Sequence, residues 1–451
     1  LERLRVGYAC LARLSFDGEY ARSLFAASLE VLASLDVDLV HMGDLTIEES
    51  DADALVERFR REAVDVVLVQ YGTFALGSLM PRIAQSLAAP IVIWGAPEPS
   101  LGGRLRSNSM CGLNMNAHAL MRLGRPYDFL FRAPADAAPD LRRIFAVLHC
   151  LKRLRSVRLG LVGYRVPGFY SSSCDELELR RKTGVEVYHV TLAEVWDAAR
   201  AVSQPDRASA AAAMREGRVT TGVSDDELEQ AGALELGFQR VAARYGLGAL
   251  AVKCWPEFAD GYGVAPCGSL SRLNDYGLLT SCEGDIYGAV TMLIEHYLTG
   301  AIPFFADFVA IDEEANTGIG WHCGAAPASL AADDAIVQLC KHPTVGGGGK
   351  KGVATEFPLR DEGPVTMTRL GVGPRGLRLF CAVGQAARTG RILCGNTLAL
   401  RFERPVRQVL ELIVRNGVEH HFAMVHADIG AELRAVARWL DLEVLDADGR
   451  E

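Results

Sequence analysis

Short, nearly continuous apolar runs recur through the first third of this chain, and a helical pattern follows each one. The runs are Arg5–Tyr8, Val37–His41, Val64–Gln70, Pro90–Trp94 and Asp128–Phe131. Between the first two, Glu19–Leu35 places Leu24, Phe25, Leu29, Val31 and Leu32 on one broad helical face. A strand that is apolar on both faces must be covered on both, and amphipathic helices between such strands supply that cover. The pattern predicts a doubly wound parallel sheet.

A second unit of the same kind opens at Val157–Gly163. It runs through Val185–Val190, a long helical region between Leu192 and Tyr245, and the strand Ala249–Lys253. The helix Asp285–Leu298 is then stopped by Thr299-Gly300-Ala301-Ile302-Pro303, a glycine and a proline just past the last helical turn. Beyond it Gly352, Gly363-Pro364, Gly371, Gly373-Pro374 and Gly376 punctuate short strands such as Val365–Arg369 and Leu377–Val383. This texture predicts a smaller β-rich, barrel-like domain, closed by the helix Ile429–Leu440 and the strand Glu443–Leu445. The expected division is therefore residues 1–154, 155–302 and 303–451, consistent with a 451-residue chain too long for one core.

With 49% hydrophobic and 23% charged residues the composition is that of a globular protein. A net charge of −9 argues against nucleic acid or an anionic membrane as partner. Every apolar run is interrupted too soon to span a bilayer. The 11 cysteines are scattered singly, with no C-x-x-C, which points to a reducing cytoplasm. Cys254, Cys267, Cys282 and Cys323 are read as small packing residues, because a structural zinc site calls for tighter spacing than theirs.

Chemistry concentrates between Asn274 and Pro327. Glu283 stands where an apolar strand stops and a helix begins, a position that suits a helix cap as well as a functional carboxylate. Asp307 is embedded in Pro303-Phe-Phe-Ala-Asp-Phe-Val-Ala-Ile311. Burying it ionised without a partner costs several kcal/mol or forces its pKa upward. Two carboxylates placed so close to one sheet edge are better explained together, as metal ligands, than separately.

The gapped run Leu273-Asn274-Asp275 … Cys282-Glu283-Gly284-Asp285 … Asp307 … Asp312-Glu313-Glu314-Ala315-Asn316 … His322-Cys323-Gly324 is similar to the L-fucose isomerase family. So are Gly363-Pro364-Val365-Thr366 and the tail His420-His421 … His426 … Ile429-Gly430-Ala431-Glu432-Leu433; L-arabinose isomerases carry a similar His-His. The resemblance covers most of the chain. It implies a metal-dependent aldose–ketose isomerase working on a free sugar through an ene-diol, with Mn²⁺ as cofactor and Mg²⁺ or Co²⁺ as alternates. The family's ligands fall on Glu283, Asp307 and His421, with His420 as the alternate histidine. The two carboxylates would also serve as base and acid. His322 sits where arabinose isomerases carry a further metal-binding histidine, and is a ligand or a substrate contact. Arg13, in Arg13-Leu-Ser-Phe-Asp17-Gly18, resembles the family's sugar-contacting arginine. Gln70 and Tyr71 occupy the place of an aromatic offered to the site, often that of a neighbouring subunit. Trp255 and Trp321 flank the site segments as candidate walls for a sugar to stack on. A homo-oligomer, a hexamer in the family, is implied.

Gly346–Lys351 lacks the Ser/Thr of a phosphate-binding loop and reads as a hairpin tip. Two other classes remain open: a metal-dependent sugar aldolase or hydrolase on the same scaffold, and a non-catalytic sugar-binding protein.

Overall fold

The computed structural model describes residues 3–344, 351–388 and 393–449. It divides into two compact units, Leu1–Lys152 and Arg153–Glu451. The expected second and third domains thus fall together in the second unit, and the expected Gly346–Lys351 tip lies almost wholly outside the described residues.

The first unit alternates strand and helix: β1 (Leu4–Leu11), α1 (Gly18–Ala33), β2 (Val37–His41), α2 (Glu49–Arg61), β3 (Val66–Tyr71), α3 (Leu79–Ser86), β4 (Ile91–Gly95), α4 (Ser109–Arg122), β5 (Tyr127–Phe131) and α5 (Ala138–Leu154), which runs into the second unit. All neighbours in the order β2-β1-β3-β4-β5 are parallel. The core is the apolar filling the sequence calls for: Val67, Val69, Ile91 and Ile93 from the sheet meet Leu55, Phe59, Leu79 and Ile83 from the helices. The strand order reverses between β1 and β3, which is where open parallel sheets offer a ligand crevice at their C-terminal ends.

The second unit begins with β6 (Arg158–Val162), α6 (Glu176–Thr183), β7 (Glu186–Val190), α7 (Leu192–Arg200), α8 (Gln204–Arg215), β8 (Val219–Thr221), α9 (Asp225–Tyr245), β9 (Ala249–Val252), α10 (Cys267–Asp275), β10 (Leu279–Cys282) and α11 (Ile286–Thr299). The long helical region read between Leu192 and Tyr245 is thus three helices and a short strand, each helix started by its own Thr or Ser cap: Thr191, Ser203 and Ser224. The sheet order is β10-β9-β6-β7, again all parallel.

Then follow β11 (Phe304–Asp312), β12 (Thr317–His322), β13 (Gln338–Cys340), β14 (Ala354–Pro358), β15 (Pro364–Gly373), β16 (Gly376–Ala387), β17 (Asn396–Phe402), α12 (Val406–Asn416), β18 (His421–Val425), α13 (Gly430–Leu440) and β19 (Glu443–Asp446). Six of them close on themselves in the order β16-β15-β18-β11-β12-β17, with β17 pairing back to β16. This is an antiparallel barrel. Phe304, Ala306, Met367, Phe380, Leu398, Leu400, Phe422 and Met424 pack in its core. The sheet continues from β17 through β14 and β13 to β8. Residues Ile286 to Glu295 of α11 are all buried, as expected of a helix that packs against both the parallel strand β10 and the barrel strands β15 and β18. Among the described residues no helix is long and apolar enough to cross a membrane.

Candidate active site

The period-two alternation of β11 decides which side chains reach the site. Phe304 and Ala306 face the barrel core, so Asp307 points to the other face. Across the antiparallel ladder Asp307 is the direct partner of His421 on β18, and on its other side of Trp321 on β12. Directly opposed residues share a face, so this register assembles carboxylate, imidazole and indole without any loop. A slip of one residue would send all of them into the core.

The opposing carboxylate comes from the C-terminal end of β10. Cys282-Glu283-Gly284 turns there through left-handed backbone, Glu283 at φ +61 and Gly284 at φ +70. A Cβ on Gly284 would collide with the Tyr164 carbonyl oxygen, so only glycine fits and the turn is held against the end of β6. The turn aims Glu283 at the histidines: its Oε2 lies 3.3 Å from His421 Nε2 and 3.4 Å from His420 Nε2. Trp255, at the end of β9, donates Nε1–H to Glu283 Oε1 at 3.0 Å and fixes the other oxygen. Asp307 Oδ1 is 3.6 Å from His421 Nε2 and 4.0 Å from His420 Nε2, and is buried with no hydrogen-bond partner.

Glu283 does not cap α11. That task belongs to Asp285, whose Oδ1 accepts the Gly288 N–H at 2.9 Å. Asp285 is the residue that sequence reasoning missed, having placed it inside the helix. Its Oδ2 meets His421 Nδ1 at 2.9 Å, and Arg369 of β15 donates to both its oxygens, at 2.5 and 3.2 Å. Asp285, Arg369 and His421 are all buried. The only advance signal was a carboxylate two residues past Glu283 at a helix start, together with an arginine inside an apolar strand.

The electrostatics follow from this packing. Burial works against charge on His421, but hydrogen bonds to Asp285 and Glu283 overcome it and hold the ring up to about 10. Burial works against Glu283 and Asp285 as well. Contacts with His420 and His421 for the first, and Arg369 for the second, keep both carboxyls well below the usual carboxylate range. Glu283, Asp285 and Asp307 crowd the His421 imidazole, and the buried Asp307 Oδ1 lacks a proton donor. Such an arrangement could hold a cation; Glu283, His420 and His421 each offer a donor atom within 4.8 Å of the others. An octahedral ion with bonds of about 2.1 Å holds adjacent ligand atoms about 3 Å apart, somewhat less than the 3.3 and 3.6 Å that separate His421 Nε2 from Glu283 Oε2 and Asp307 Oδ1. The mixed oxygen and nitrogen donors suit Mn²⁺, Mg²⁺ or Co²⁺.

Beside these groups lies a cavity of about 550 Å³, large enough for a hexose. Trp255, Glu283, Asp307, Trp321 and His322 line it. Trp321 is held by donating Nε1–H to the Cys394 carbonyl at 2.8 Å. His322 is buried, its Nδ1 3.4 Å from Cys323 Sγ and its ring 6.2 Å from that of His421. His420, in contrast, is exposed. It is braced by Phe169, whose ring meets those of His420 and Trp255 edge-on at 5.8 and 5.6 Å, and by Ser171 Oγ at 3.4 Å from Nδ1. Phe169 therefore belongs to the site surround, on the loop that follows β6.

The remaining candidates stand in the first unit. Arg13 is exposed just past the end of β1, at the strand-order reversal, its N–H donating to Thr73 Oγ1 at 2.7 Å. Gln70 and Tyr71 end β3 fully buried, because that central strand is covered on both faces. Gln70 accepts from Tyr8 OH at 2.5 Å, and Tyr71 is part of the apolar core.

Comparison with known proteins gives a consistent set of likenesses. The family pattern described as "Fucose/sulfoquinovose isomerase, N-terminal domain" matches residues 7–155. A sulfoquinovose isomerase of Alkalicoccus urumqiensis is 32% identical over 448 residues, covering 99% of this chain and 100% of that protein. A sulfoquinovose isomerase of Priestia aryabhattai is 31% identical, covering 98% and 99%. One from Clostridium sp. (strain MSTE9) is 30% identical, also covering 98% and 99%.

Proposed function

The chain belongs to the fucose/sulfoquinovose isomerase family, and from that premise we propose that it interconverts sulfoquinovose, an aldose with a sulfonate on C6, and the corresponding ketose. It is an isomerase, and its chemistry is aldose–ketose isomerisation of a sugar. The metal-dependent part of this reading is supported by Glu283 Oε2 and the unpartnered Asp307 Oδ1, 3.3 and 3.6 Å from His421 Nε2 beside a sugar-sized cavity; the choice of sulfoquinovose is supported by the relatives.

Glu283, Asp307 and His421 would hold a divalent ion of the Mn²⁺ class. That ion supplies Lewis-acid stabilisation of the negative charge developing on O1 and O2. The protein's own groups do the rest. Asp285 accepts the Nδ1 proton of His421, which fixes the tautomer that offers Nε2. Trp255 holds Glu283 Oε1, so that Oε2 alone faces the histidines. Glu283 is held ionised at neutral pH by its contacts with His420 and His421, the form in which a carboxylate can act as a base. One carboxylate takes the proton from C2 and returns it at C1. The other handles the hydroxyl proton, so that an ene-diol links the two sugars. Trp321 and Trp255 supply the wall for the apolar face of the ring, and His322 serves as substrate contact or further ligand.

The test is direct. Purified protein with Mn²⁺ is incubated with sulfoquinovose, L-fucose and L-arabinose, and ketoses are resolved by chromatography. The expectation is turnover of sulfoquinovose ahead of the uncharged sugars, abolished by chelation. Faster turnover of L-fucose overturns the substrate assignment; no ketose from any aldose overturns the reading altogether. We infer a cytoplasmic homo-oligomer as in the family, with native mass by light scattering as the check on assembly.

A further inference from the structure

Beside the oxygen-rich centre the same cavity carries a second donor set of different chemistry. Cys267, Cys323 and His342 all line it, and one donor atom from each lies within 4.8 Å of the others. They are far apart in sequence, yet all three hang from the start of β14. Cys267 opens α10, whose Gly268 N–H donates to the Val353 carbonyl at 2.6 Å. Cys323 follows β12 and is fixed through Gly324, whose carbonyl accepts from Thr355 N at 2.9 Å and Thr355 Oγ1 at 3.1 Å. A Cβ on Gly324 would meet Ala354 Cβ at 2.6 Å, so the approach of that turn to β14 depends on glycine. His342 comes two residues after Cys340, which pairs with Ala354. His342 Nδ1 accepts the Thr344 N–H at 3.1 Å, with the Thr344 hydroxyl 3.4 Å away, so ligation by His342 displaces that hydrogen bond.

We propose that Cys267, Cys323 and His342 form a second cation site, selective for thiophilic ions of the Zn²⁺ class, whose occupation obstructs the sugar cavity. Two sulfurs and one imidazole are the donors that Zn²⁺ and Cd²⁺ prefer, as carboxylates are for Mn²⁺. In a tetrahedral site with Zn–S bonds of about 2.3 Å the ligand atoms stand about 3.5–3.8 Å apart, so a contraction of about 1 Å closes this one. Binding replaces two S–H bonds by two metal–sulfur bonds and releases two protons to solvent. All three side chains line the cavity, so an ion held by them, its shell completed by water, takes up space that the sugar would fill. A thiophilic ion would therefore compete with the sugar rather than with Mn²⁺.

The Mn²⁺-loaded protein is titrated with Cd²⁺, and the ultraviolet thiolate-to-cadmium charge-transfer absorption is followed. The expected result is a band saturating at one equivalent, inhibition that excess Mn²⁺ does not relieve and added sugar does, and a band preserved in Glu283→Gln. Cys267→Ser and Cys323→Ser should each reduce Cd²⁺ affinity at least tenfold. In wild type, one equivalent of Cd²⁺ should protect Cys323 from alkylation as mapped by peptide mass spectrometry, a measurement that needs no variant to fold. No band at one equivalent, a band undiminished in folded Cys267→Ser/Cys323→Ser, or unaltered labelling of Cys323 overturns the site. The absorption band and the Cys323 labelling need no sugar, so their failure is distinct from failure of the isomerase reading.

Discussion

Asp285→Asn isolates the carboxylate that orders the centre without touching the cation or the sugar. The native carboxylate accepts four hydrogen bonds, from His421 Nδ1, Arg369 Nη1, Arg369 Nη2 and Gly288 N. An amide offers one acceptor oxygen, and its NH₂ must face either the imidazole or the guanidinium as a second donor. Arg369, fully buried, is left with Glu419 at 3.8 Å as its remaining counter-ion. Breaking a buried pair on one side costs about 3–5 kcal/mol, and the residual partner puts the expected loss near the lower end, at about 3 kcal/mol. Loss of the carboxylate behind a metal-binding histidine lowers metal affinity about 10–100-fold, equivalent to about 1.4–2.8 kcal/mol. Urea unfolding of the metal-free protein reads the first number, and Mn²⁺ titration followed by the electron paramagnetic resonance of the free ion reads the second. The double variant Asp285→Asn/Arg369→Met separates the two roles: removing both charges should restore much of the stability while Mn²⁺ affinity stays low. If Asp285→Asn binds Mn²⁺ within about threefold of wild type and unfolds within the ±0.5 kcal/mol typical of a surface change, the triad has no orienting role and the reasoning fails.

Glu283→Gln and Asp307→Asn should each lower kcat by orders of magnitude while circular dichroism shows the fold retained; wild-type turnover in either assigns that residue a structural task only. Mn²⁺ binding should strengthen about tenfold per pH unit from pH 6 to 9, because an imidazole held up to about 10 must give up its proton to the ion; a pH-independent affinity contradicts this. The same raised pKa makes His421 stabilise the metal-free fold fully below its ordinary value of about 6.5. That contribution is lost as pH rises through about 10, so metal-free unfolding free energy should fall over that window and metal-loaded protein should fall less. Gly284→Ala should cost about 2 kcal/mol or more through its positive φ and the blocked approach of Tyr164, with Mn²⁺ affinity falling alongside; native stability would mean the turn relaxes freely.

The parallel sheets were legible because buried strands such as Val66–Tyr71 and Ile91–Gly95 announce themselves as apolar runs. A β-rich, barrel-like third part was legible from its glycine punctuation, but which strands pair to close it was not. The pairing of β16 with β17 and of β11 with β18 joins residues whose sequence neighbourhoods carry no sign of each other. Glu283 and Asp307 stood out as polar groups at the end or middle of apolar segments, which is where burial is hardest to explain; the histidine pair entered through the resemblance of the tail to the L-fucose isomerase family. Asp285 was hidden by that same context, since a carboxylate at a helix start is ordinarily a cap, and here it is a cap that also holds a histidine. Cys267 and Cys323 were hidden by spacing: 56 positions separate them (323 − 267), and only the shared anchorage on β14 brings them together.

The short strand β8 leaves the α/β half of the second unit to lie in parallel register along β13, Val219 beside Gln338 and Thr221 beside Cys340. Recombining relatives by cutting this protein at residue 302 would therefore not swap an autonomous module. It would tear a hem stitched from both sides of the cut, and hand Glu283 to one parent and His421 to the other.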